Sequence, residues 1–251
     1  EPPHVHGTMR SGVGHPAPPV VIPPQDALAA AAEVLNACER VAILVGAGAL
    51  SAGAEVRAVA DTLGAGVAKA LLGKAALPDD LPFVTGQIGI LGTAPSWEMM
   101  QRCDGLLVVG AGFPYAEYLP EEGQARGVQI DLDPGMTSLR YPMEVNLSGE
   151  AAATLAALTT KLRYKQDRRW RERIEADVVR WWESVEARAR APGEPVNPQL
   201  LFTEASPRLP DEAVVTADSG TAANWFARCI RIRQGMKASL SGTLATMCPA
   251  I

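Results

Sequence analysis

The stretch VAILVGAGALSAGAEV, residues 41–56, decides the fold of this chain. An uninterrupted apolar run ends in Gly46, Ala47 and Gly48, and a segment of small residues follows it. This pattern is typical of a buried parallel strand that enters a helix through a tight glycine turn. Such a turn either binds a phosphate group or lets the helix pack closely on the sheet, and these residues leave both interpretations open.

Composition excludes several classes of function. The chain has 251 residues, of which 47% are apolar and 20% are charged, so we expect a well-packed core. Its formal net charge of -5 argues against a nucleic-acid partner, because no basic excess is available to displace counterions. No apolar run is long enough to predict a membrane span. The four cysteines form no CxxC pair, which argues against a zinc site and favours a cytoplasmic protein.

Apolar strands alternate with amphipathic helices through residues 24–163. Strands are predicted over residues 41–49, 65–71, 105–113, 127–134 and 143–149. Helices are predicted over residues 24–40, 54–64, 96–104 and 150–162. This alternation predicts an α/β fold, with a doubly wound parallel sheet as a central domain of nucleotide-binding type.

The flanking segments have a different character. Residues 1–23 are rich in proline and glycine and predict an extended linker. Residues 164–198 predict a charged helix followed by a Pro/Gly linker. Residues 213–230 predict a strand, a loop and a helix, and small residues in 239–247 predict the entry to another helix. Residues 199–251 therefore begin a second α/β domain that is incomplete within this chain.

The ordinary dinucleotide fingerprint is not satisfied at the first turn. Ser51 occupies the place of its third glycine, and the next predicted strand does not end in an acidic residue. A second glycine turn at residues 110–115 also follows a strand, and Asp131 ends another strand. The glycine-rich loop TGQIGILGT at residues 85–93 would let a ligand approach the backbone closely. Together these features predict a ligand crevice at the carboxyl edge of the sheet, although each alone is equally compatible with ordinary packing.

The order of these segments resembles that of the thiamine-diphosphate enzymes of the pyruvate oxidase and acetolactate synthase family. The matching motifs include LLGKAALPDDLPFVTGQIGILGT (71–93), CDGLLVVGAGFPY (103–115), VVTADSGTAANWFAR (214–228) and SLSGTLATMCPAI (239–251). Members of this family have three α/β domains. The resemblance implies that residues 24–163 are the central domain and that residues 199–251 are the first part of the diphosphate-binding domain.

The resemblance also implies where cofactors bind. For FAD, the matching positions are Gly89, Ile90, Leu91, Gly92, Gly110, Ala111, Gly112, Phe113, Pro114 and Asp131. For the thiamine-diphosphate side, they are Ser219, Gly220, Thr221, Ser241, Gly242 and Thr243.

The function that the resemblance implies is decarboxylation of a small 2-oxo acid by a homodimer or homotetramer. The complete protein would use thiamine diphosphate with Mg²⁺, and FAD is a candidate second cofactor. The family's activating glutamate and its Gly-Asp-Gly…Asn metal-binding signature have no counterpart in these residues. We therefore expect this chain to contain no catalytic residue and no metal ligand, and to be inactive when isolated.

The residues leave two alternatives open. One is a flavin- or nucleotide-binding module without catalytic activity. The other is a sirtuin-like deacylase, because GAGALSAGAEVR (46–57) resembles the opening motif of that family. A deacylase would need a histidine base and a cysteine zinc site, but all three histidines precede residue 16.

Overall fold

The computed structural model, which describes residues 19–241, contains a six-stranded parallel sheet and a second, two-stranded parallel sheet. The large sheet comprises β1 (Val41–Val45), β2 (Gly66–Lys69), β3 (Val84–Gln87), β4 (Gly105–Val109), β5 (Arg126–Asp131) and β6 (Val145–Ser148). The small sheet comprises β7 (Val214–Ala217) and β8 (Lys237–Leu240). The α-helices are α1 (Gln25–Ala37), α2 (Gly53–Leu63), α3 (Ala94–Met100), α4 (Ala151–Thr159), α5 (Arg169–Ala189), α6 (Pro198–Ala205) and α7 (Thr221–Arg228).

The strand order of the large sheet is β3-β2-β1-β4-β5-β6, and all its pairs are parallel. This arrangement confirms the predicted doubly wound α/β fold. The chain winds outward from β1 to β3, and then returns to place β4 on the other side of β1. The order of the strands therefore reverses between β1 and β4. In open α/β sheets, ligands bind outside the carboxyl ends of the strands at such a reversal.

Two hydrophobic layers cover the large sheet. On one face, α1, α2 and α4 pack against apolar side chains such as Ile43 and Val109. On the other face, α3 and α5 pack against side chains such as Leu44 and Leu106. All residues of β1 and β4 are buried because helices cover both faces, which explains why these strands are continuous apolar runs.

Helix α5, 21 residues long, belongs to the second of these layers despite its many charges. Its Trp170 indole donates a hydrogen bond of 3.0 Å to the carbonyl of Val41, and Ile174 lies in the same core layer. Arg171 is also buried, with its guanidinium 4.0 Å from the centre of the Phe83 ring. No helix within residues 19–241 is both long enough and apolar enough to cross a membrane.

Two short segments differ in kind from the sequence predictions, and the strands predicted over residues 41–49 and 105–113 end earlier, at Val45 and Val109. Residues 84–87 form β3, although the sequence indicated only a glycine-rich loop there. Gly86 interrupts the alternation of side chains that marks a strand, and its φ of +101° accompanies a shift in register against β2. The helix entry expected from residue 239 is also wrong for its first residues, since Lys237–Leu240 is strand β8, while residues 242–247 lie outside the described range.

A buried cluster of three charges joins the central sheet to the C-terminal segment. Asp79 accepts hydrogen bonds from Lys69 at 2.6 Å, from Lys74 at 3.2 Å and from the backbone N–H of Ile232 at 2.8 Å. These three charged side chains are almost completely buried. Burial opposes ionisation of Asp79, but the two lysine charges outweigh burial and lower its pKa. Lys74 also donates to the carbonyl of Ala227 at 3.3 Å, so the cluster positions α7 above the sheet.

The pH dependence of stability should reveal the burial of Lys69. Burial lowers its pKa from 10.5 to about 8, even though the Asp79 carboxylate opposes the shift. Between pH 8 and 10.5 the unfolded chain therefore holds a proton that the folded chain has released. Because the unfolded state binds more protons, this group makes the unfolding free energy rise with pH, by about 1.4 kcal/mol per pH unit at most.

Urea unfolding of the wild-type chain and of Lys69→Met at pH 7.5, 8.5 and 9.5 measures this contribution. The difference in unfolding free energy between the two proteins should shift in favour of the wild type as pH rises. The buried thiol of Cys103, whose pKa burial raises to about 12, acts in the opposite direction but is common to both proteins. A difference that stays constant over this range would contradict the prediction.

Candidate cofactor cleft

The first glycine turn brings two backbone segments into direct contact. The N–H of Gly46 donates to the carbonyl of Val109 at 2.9 Å, and the N–H of Gly48 donates to the carbonyl of Gly110 at 3.0 Å. A Cβ atom on Gly46 would lie 2.3 Å from the carbonyl oxygen of Gly110. Both N–H groups therefore donate to carbonyls of the protein itself and are not available to a phosphate. The first turn packs two backbone segments together.

A cleft of about 650 Å³ opens directly above this crossing, at the carboxyl ends of β1 to β4. The small sheet closes its other side through the loop after β7 and the end of β8. The lining residues are Gly46, Ala47, Ala70, Leu71, Leu72, Gln87, Ile88, Ile90, Leu91, Gly110, Ala111, Gly112, Phe113, Pro114, Tyr115, Ser219, Gly220, Ala223, Leu240 and Ser241. None of these lining residues, all within the described range, carries a charge, so the cleft suits the uncharged part of a ligand.

Arginine 228 at the end of α7 fixes the loop on one wall of the cleft. Its guanidinium donates to the carbonyls of Ile90 at 3.2 Å, Leu91 at 3.4 Å and Gly92 at 3.1 Å. The same loop is closed by a 2.8 Å hydrogen bond from the N–H of Gly92 to the carbonyl of Gly89. One side chain of the C-terminal segment therefore determines the shape of a loop on the central sheet.

The opposite wall, after β4, offers both backbone donors and aromatic surface. The N–H groups of Ala111, Gly112 and Phe113 donate to no other residue within 19–241. Successive unengaged N–H groups of this kind are suited to phosphate or carbonyl oxygens of a ligand. The rings of Phe113 and Tyr115 pack edge to face, with centroids 5.6 Å apart. This wall can therefore bind both a planar ring and polar oxygens.

The structure brings together most of the residues that the sequence singled out. Those in the lining are Ile90, Leu91, Gly110, Ala111, Gly112, Phe113, Pro114, Ser219, Gly220 and Ser241. Gly89 and Gly92 shape the same loop without lining the cleft, and Thr221 begins α7 beside it. Gly242 and Thr243 lie outside the described residues.

Asp131 lies apart from this group. It ends β5, next to the second glycine turn, because the N–H of Gly110 donates to the neighbouring carbonyl of Ile130 at 2.8 Å. Its carboxylate accepts the N–H of Asp133 at 3.0 Å and does not line the cleft. A ligand would have to extend past the glycine turn to reach it.

Several lining residues were not among those predicted to bind a cofactor, notably Gln87, Tyr115 and Ala223. Gln87 could have been found as the polar residue that ends a strand beside the glycine-rich loop, had β3 been recognised. Ala223 of α7 and Leu240 of β8 carried no comparable signal, because only tertiary packing brings them to the cleft. Within residues 19–241, no group of three His, Cys, Asp or Glu side chains is arranged to hold a metal ion.

Comparisons with known proteins agree with this geometry. Residues 28–158 match the model of the thiamine pyrophosphate enzyme central domain. A putative thiamine pyrophosphate-containing protein of Bacillus subtilis, YdaP, is 32% identical over 225 residues, which are 90% of this chain and 39% of the relative. A probable 2-ketoarginine decarboxylase of Pseudomonas aeruginosa, AruI, is 34% identical over 201 residues, covering 78% of this chain and 34% of the relative.

A pyruvate oxidase of Lactiplantibacillus plantarum is 28% identical over 150 residues, or 59% of this chain and 25% of the relative. The chain thus spans well under half the length of these curated relatives. The matched region contains the whole six-stranded sheet, with its glycine turns and the loop around residues 89–92. On the strength of this match and of the fold, the chain belongs to the thiamine pyrophosphate enzyme family and includes its central domain.

Proposed function

We propose that this chain contributes the flavin-binding central domain and the first part of the diphosphate-binding domain to an enzyme that decarboxylates a small 2-oxo acid. In this proposal residues 1–23 are a linker, 24–163 the central domain, 164–198 a connecting helix and linker, and 199–251 the start of the next domain. The enzyme would act in the cytoplasm as a homodimer or homotetramer, with thiamine diphosphate, Mg²⁺ and FAD. The names of the relatives, which include a decarboxylase and an oxidase, support the reaction class.

The observation that most strongly supports the proposal is the cleft, which the central domain and the C-terminal segment line together. Loops at the carboxyl edge of the large sheet face Ser219, Gly220 and Ser241 of the small sheet across one uncharged space. A cofactor on the central domain would therefore lie beside the loops that correspond to the thiamine-diphosphate side. Such proximity is what electron transfer between two bound cofactors requires.

The residues present fit a flavin. The walls combine apolar side chains such as Ile90, Leu91 and Phe113 with the backbone N–H groups of residues 111–113. A planar ring can lie against the apolar side chains, and carbonyl or phosphate oxygens can accept hydrogen bonds from the backbone N–H groups. The close crossing of Gly46 and Gly110 leaves this edge of the sheet open, because no side chain projects from either residue.

Each group in this proposal has a separate role. Thiamine diphosphate, when bound, supplies the nucleophile and the electron sink for decarboxylation, and FAD supplies a two-electron acceptor. This chain's own residues would orient them: Arg228 holds the 90–92 loop in place, and apolar side chains such as Leu91 and Phe113 line the cleft. Ser241 offers a hydroxyl group at the diphosphate side, where Ser219 also lines the cleft.

Flavin binding can be tested directly on the purified chain by quenching of flavin fluorescence. We expect saturable quenching by the wild type and roughly tenfold weaker affinity for Arg228→Met, because the loop loses three charge-assisted hydrogen bonds. Arg180→Met is the matched control, since Arg180 is exposed on α5 and pairs only with Asp177 within the described residues. Unchanged affinity in Arg228→Met would contradict the assigned role of the loop.

A test of the reaction class requires the full-length protein that the whole gene encodes. That protein, supplied with thiamine diphosphate, Mg²⁺ and FAD, should release CO₂ from one of pyruvate, 2-oxobutyrate or 2-ketoarginine. The 251-residue chain alone should bind flavin without turnover. Flavin binding by the whole product without turnover of any 2-oxo acid would instead favour a non-catalytic flavin-binding module.

A further inference from the structure

Gln87 is a buried side chain with unused hydrogen-bonding capacity in the wall of the cleft. It ends β3 opposite Lys69 of β2, and its carbonyl accepts the N–H of Thr93 at 2.9 Å. Only 1% of the residue is exposed. Neither the oxygen nor the nitrogen of its side-chain amide has a hydrogen-bond partner in the described part of the chain.

The surroundings make this amide unusual. Thr85, Thr93 and Ser96, also buried near the end of β3, satisfy one another through hydrogen bonds of 2.6 to 3.3 Å among their hydroxyl groups and the nearby backbone. Buried polar groups in native proteins are nearly always paired, and an unpaired one lowers stability. A polar residue at this position of the cleft is therefore explained better by a ligand than by folding.

A second unused group lines the same cleft. The hydroxyl of Ser241, after β8, is inaccessible to water and has no hydrogen-bond partner among residues 19–241. The backbone of Ser241 is held by a 3.3 Å hydrogen bond from its N–H to the carbonyl of Ala217. The cleft thus contains two polar side chains on different sheets, both available to a ligand.

We propose that the side-chain amide of Gln87 hydrogen-bonds to the edge of a planar heterocycle that carries a donor next to an acceptor. In the flavin of the proposed function, on which this inference rests, that edge is the N3–H group with its flanking carbonyls. A primary amide offers both a donor and an acceptor, so it matches such an edge, whereas a phosphate would leave the Gln87 oxygen unsatisfied. The final torsion of Gln is soft, and no described residue holds the amide, so it can turn toward the ring.

The test compares FAD with N3-methyl-FAD, in which the ring donor is blocked, by fluorescence titration of the purified chain. The wild type should bind FAD about tenfold more tightly than the methylated form, which corresponds to one good hydrogen bond. Gln87→Met, similar in size but without the amide, should bind the two flavins with affinities within about twofold of each other. Thr154→Val is the control, since Thr154 is a fully buried side chain of α4 that does not line the cleft and whose hydroxyl also lacks a partner in the described chain.

The ligand-free protein provides a second measurement. Gln87→Met removes a buried polar group whose hydrogen bonds no described residue supplies, so its melting temperature should rise by about 2–4 °C. A ligand contact predicts both this gain and the loss of discrimination, whereas a structural residue predicts a lower melting temperature.

The outcomes separate the two proposals. If Gln87→Met still distinguishes the two flavins as the wild type does, the role of Gln87 is wrong while flavin binding stands. If the wild type binds no FAD, the proposed flavin site fails and this inference fails with it.

Discussion

Asp79→Asn is expected to lower the free energy of unfolding by about 3–5 kcal/mol, because it leaves two buried lysines without a compensating charge. Lys69 and Lys74 are buried to 98% or more, and Asp79 is the carboxylate that pairs with both within residues 19–241. The substitution also weakens the acceptor for the N–H of Ile232. Urea unfolding at pH 7, followed by tryptophan fluorescence, measures the loss. Replacing Trp170 of α5 and Trp225 of α7 in turn shows how much of the signal each of these two helices contributes.

Two variants control for this result. Glu144→Gln breaks the exposed pair between Glu144 and Arg126, and we expect it to cost at most about 1 kcal/mol. The triple variant Lys69→Met, Lys74→Met and Asp79→Leu removes all three charges and should recover most of the stability that Asp79→Asn loses. Equal losses in Asp79→Asn and Glu144→Gln would show that the buried cluster contributes no more than a surface ion pair.

Gly110→Ala is expected to cost about 3 kcal/mol and to abolish flavin binding. Gly110 has a φ of +55°, and a Cβ atom there would lie 2.5 Å from the Cα of Gly48. Two effects oppose alanine at this position. The left-handed backbone conformation disfavours alanine, and the backbone atoms of Gly48 cannot move aside as a flexible side chain would. Because Gly110 also lines the cleft, the displaced turn would carry Ala111 and Gly112 away from their positions.

Gly123→Ala is the matched control for this substitution. Gly123 also has a positive φ, +84°, but no described atom lies within 4 Å of a Cβ built on it. It should therefore cost only the conformational penalty of about 1–2 kcal/mol and leave flavin affinity unchanged. If the two alanine variants lose the same stability, the close contact between Gly110 and Gly48 does not exclude a Cβ atom, and the prediction is wrong.

Much of the large sheet could be predicted because its strands are buried on both faces. The continuous apolar runs at Val41–Val45 and Gly105–Val109 have this cause, and helices with an apolar stripe lie between the strands. Strand β3 could not be predicted in the same way. Its four residues include Gly86 in a left-handed conformation, so hydrogen bonds to β2, rather than its own pattern, make it a strand.

The glycine turns show what an isolated motif leaves undecided. From the sequence, phosphate binding and close packing were equally compatible with Gly46 and Gly48. The structure decides for packing at these two residues, since both N–H groups donate to the carbonyls of the neighbouring strand and turn. No local sequence pattern can distinguish the two roles, because the contacting residue, Gly110, lies more than 60 residues further along the chain.

The sequence by itself determined the fold class, because strands buried on both faces leave continuous apolar runs. Its resemblance to known enzymes indicated the family and half of the residues that line the cleft. The tertiary structure alone decided which charges are buried and which polar groups are unused. Lys69 ends an ordinary strand and Asp79 lies in a loop, and only their approach to 2.6 Å makes them a buried pair. The availability of Gln87 is likewise a property of everything packed around it, since a hydrogen bond depends on the position of its partner and not on the identity of one residue.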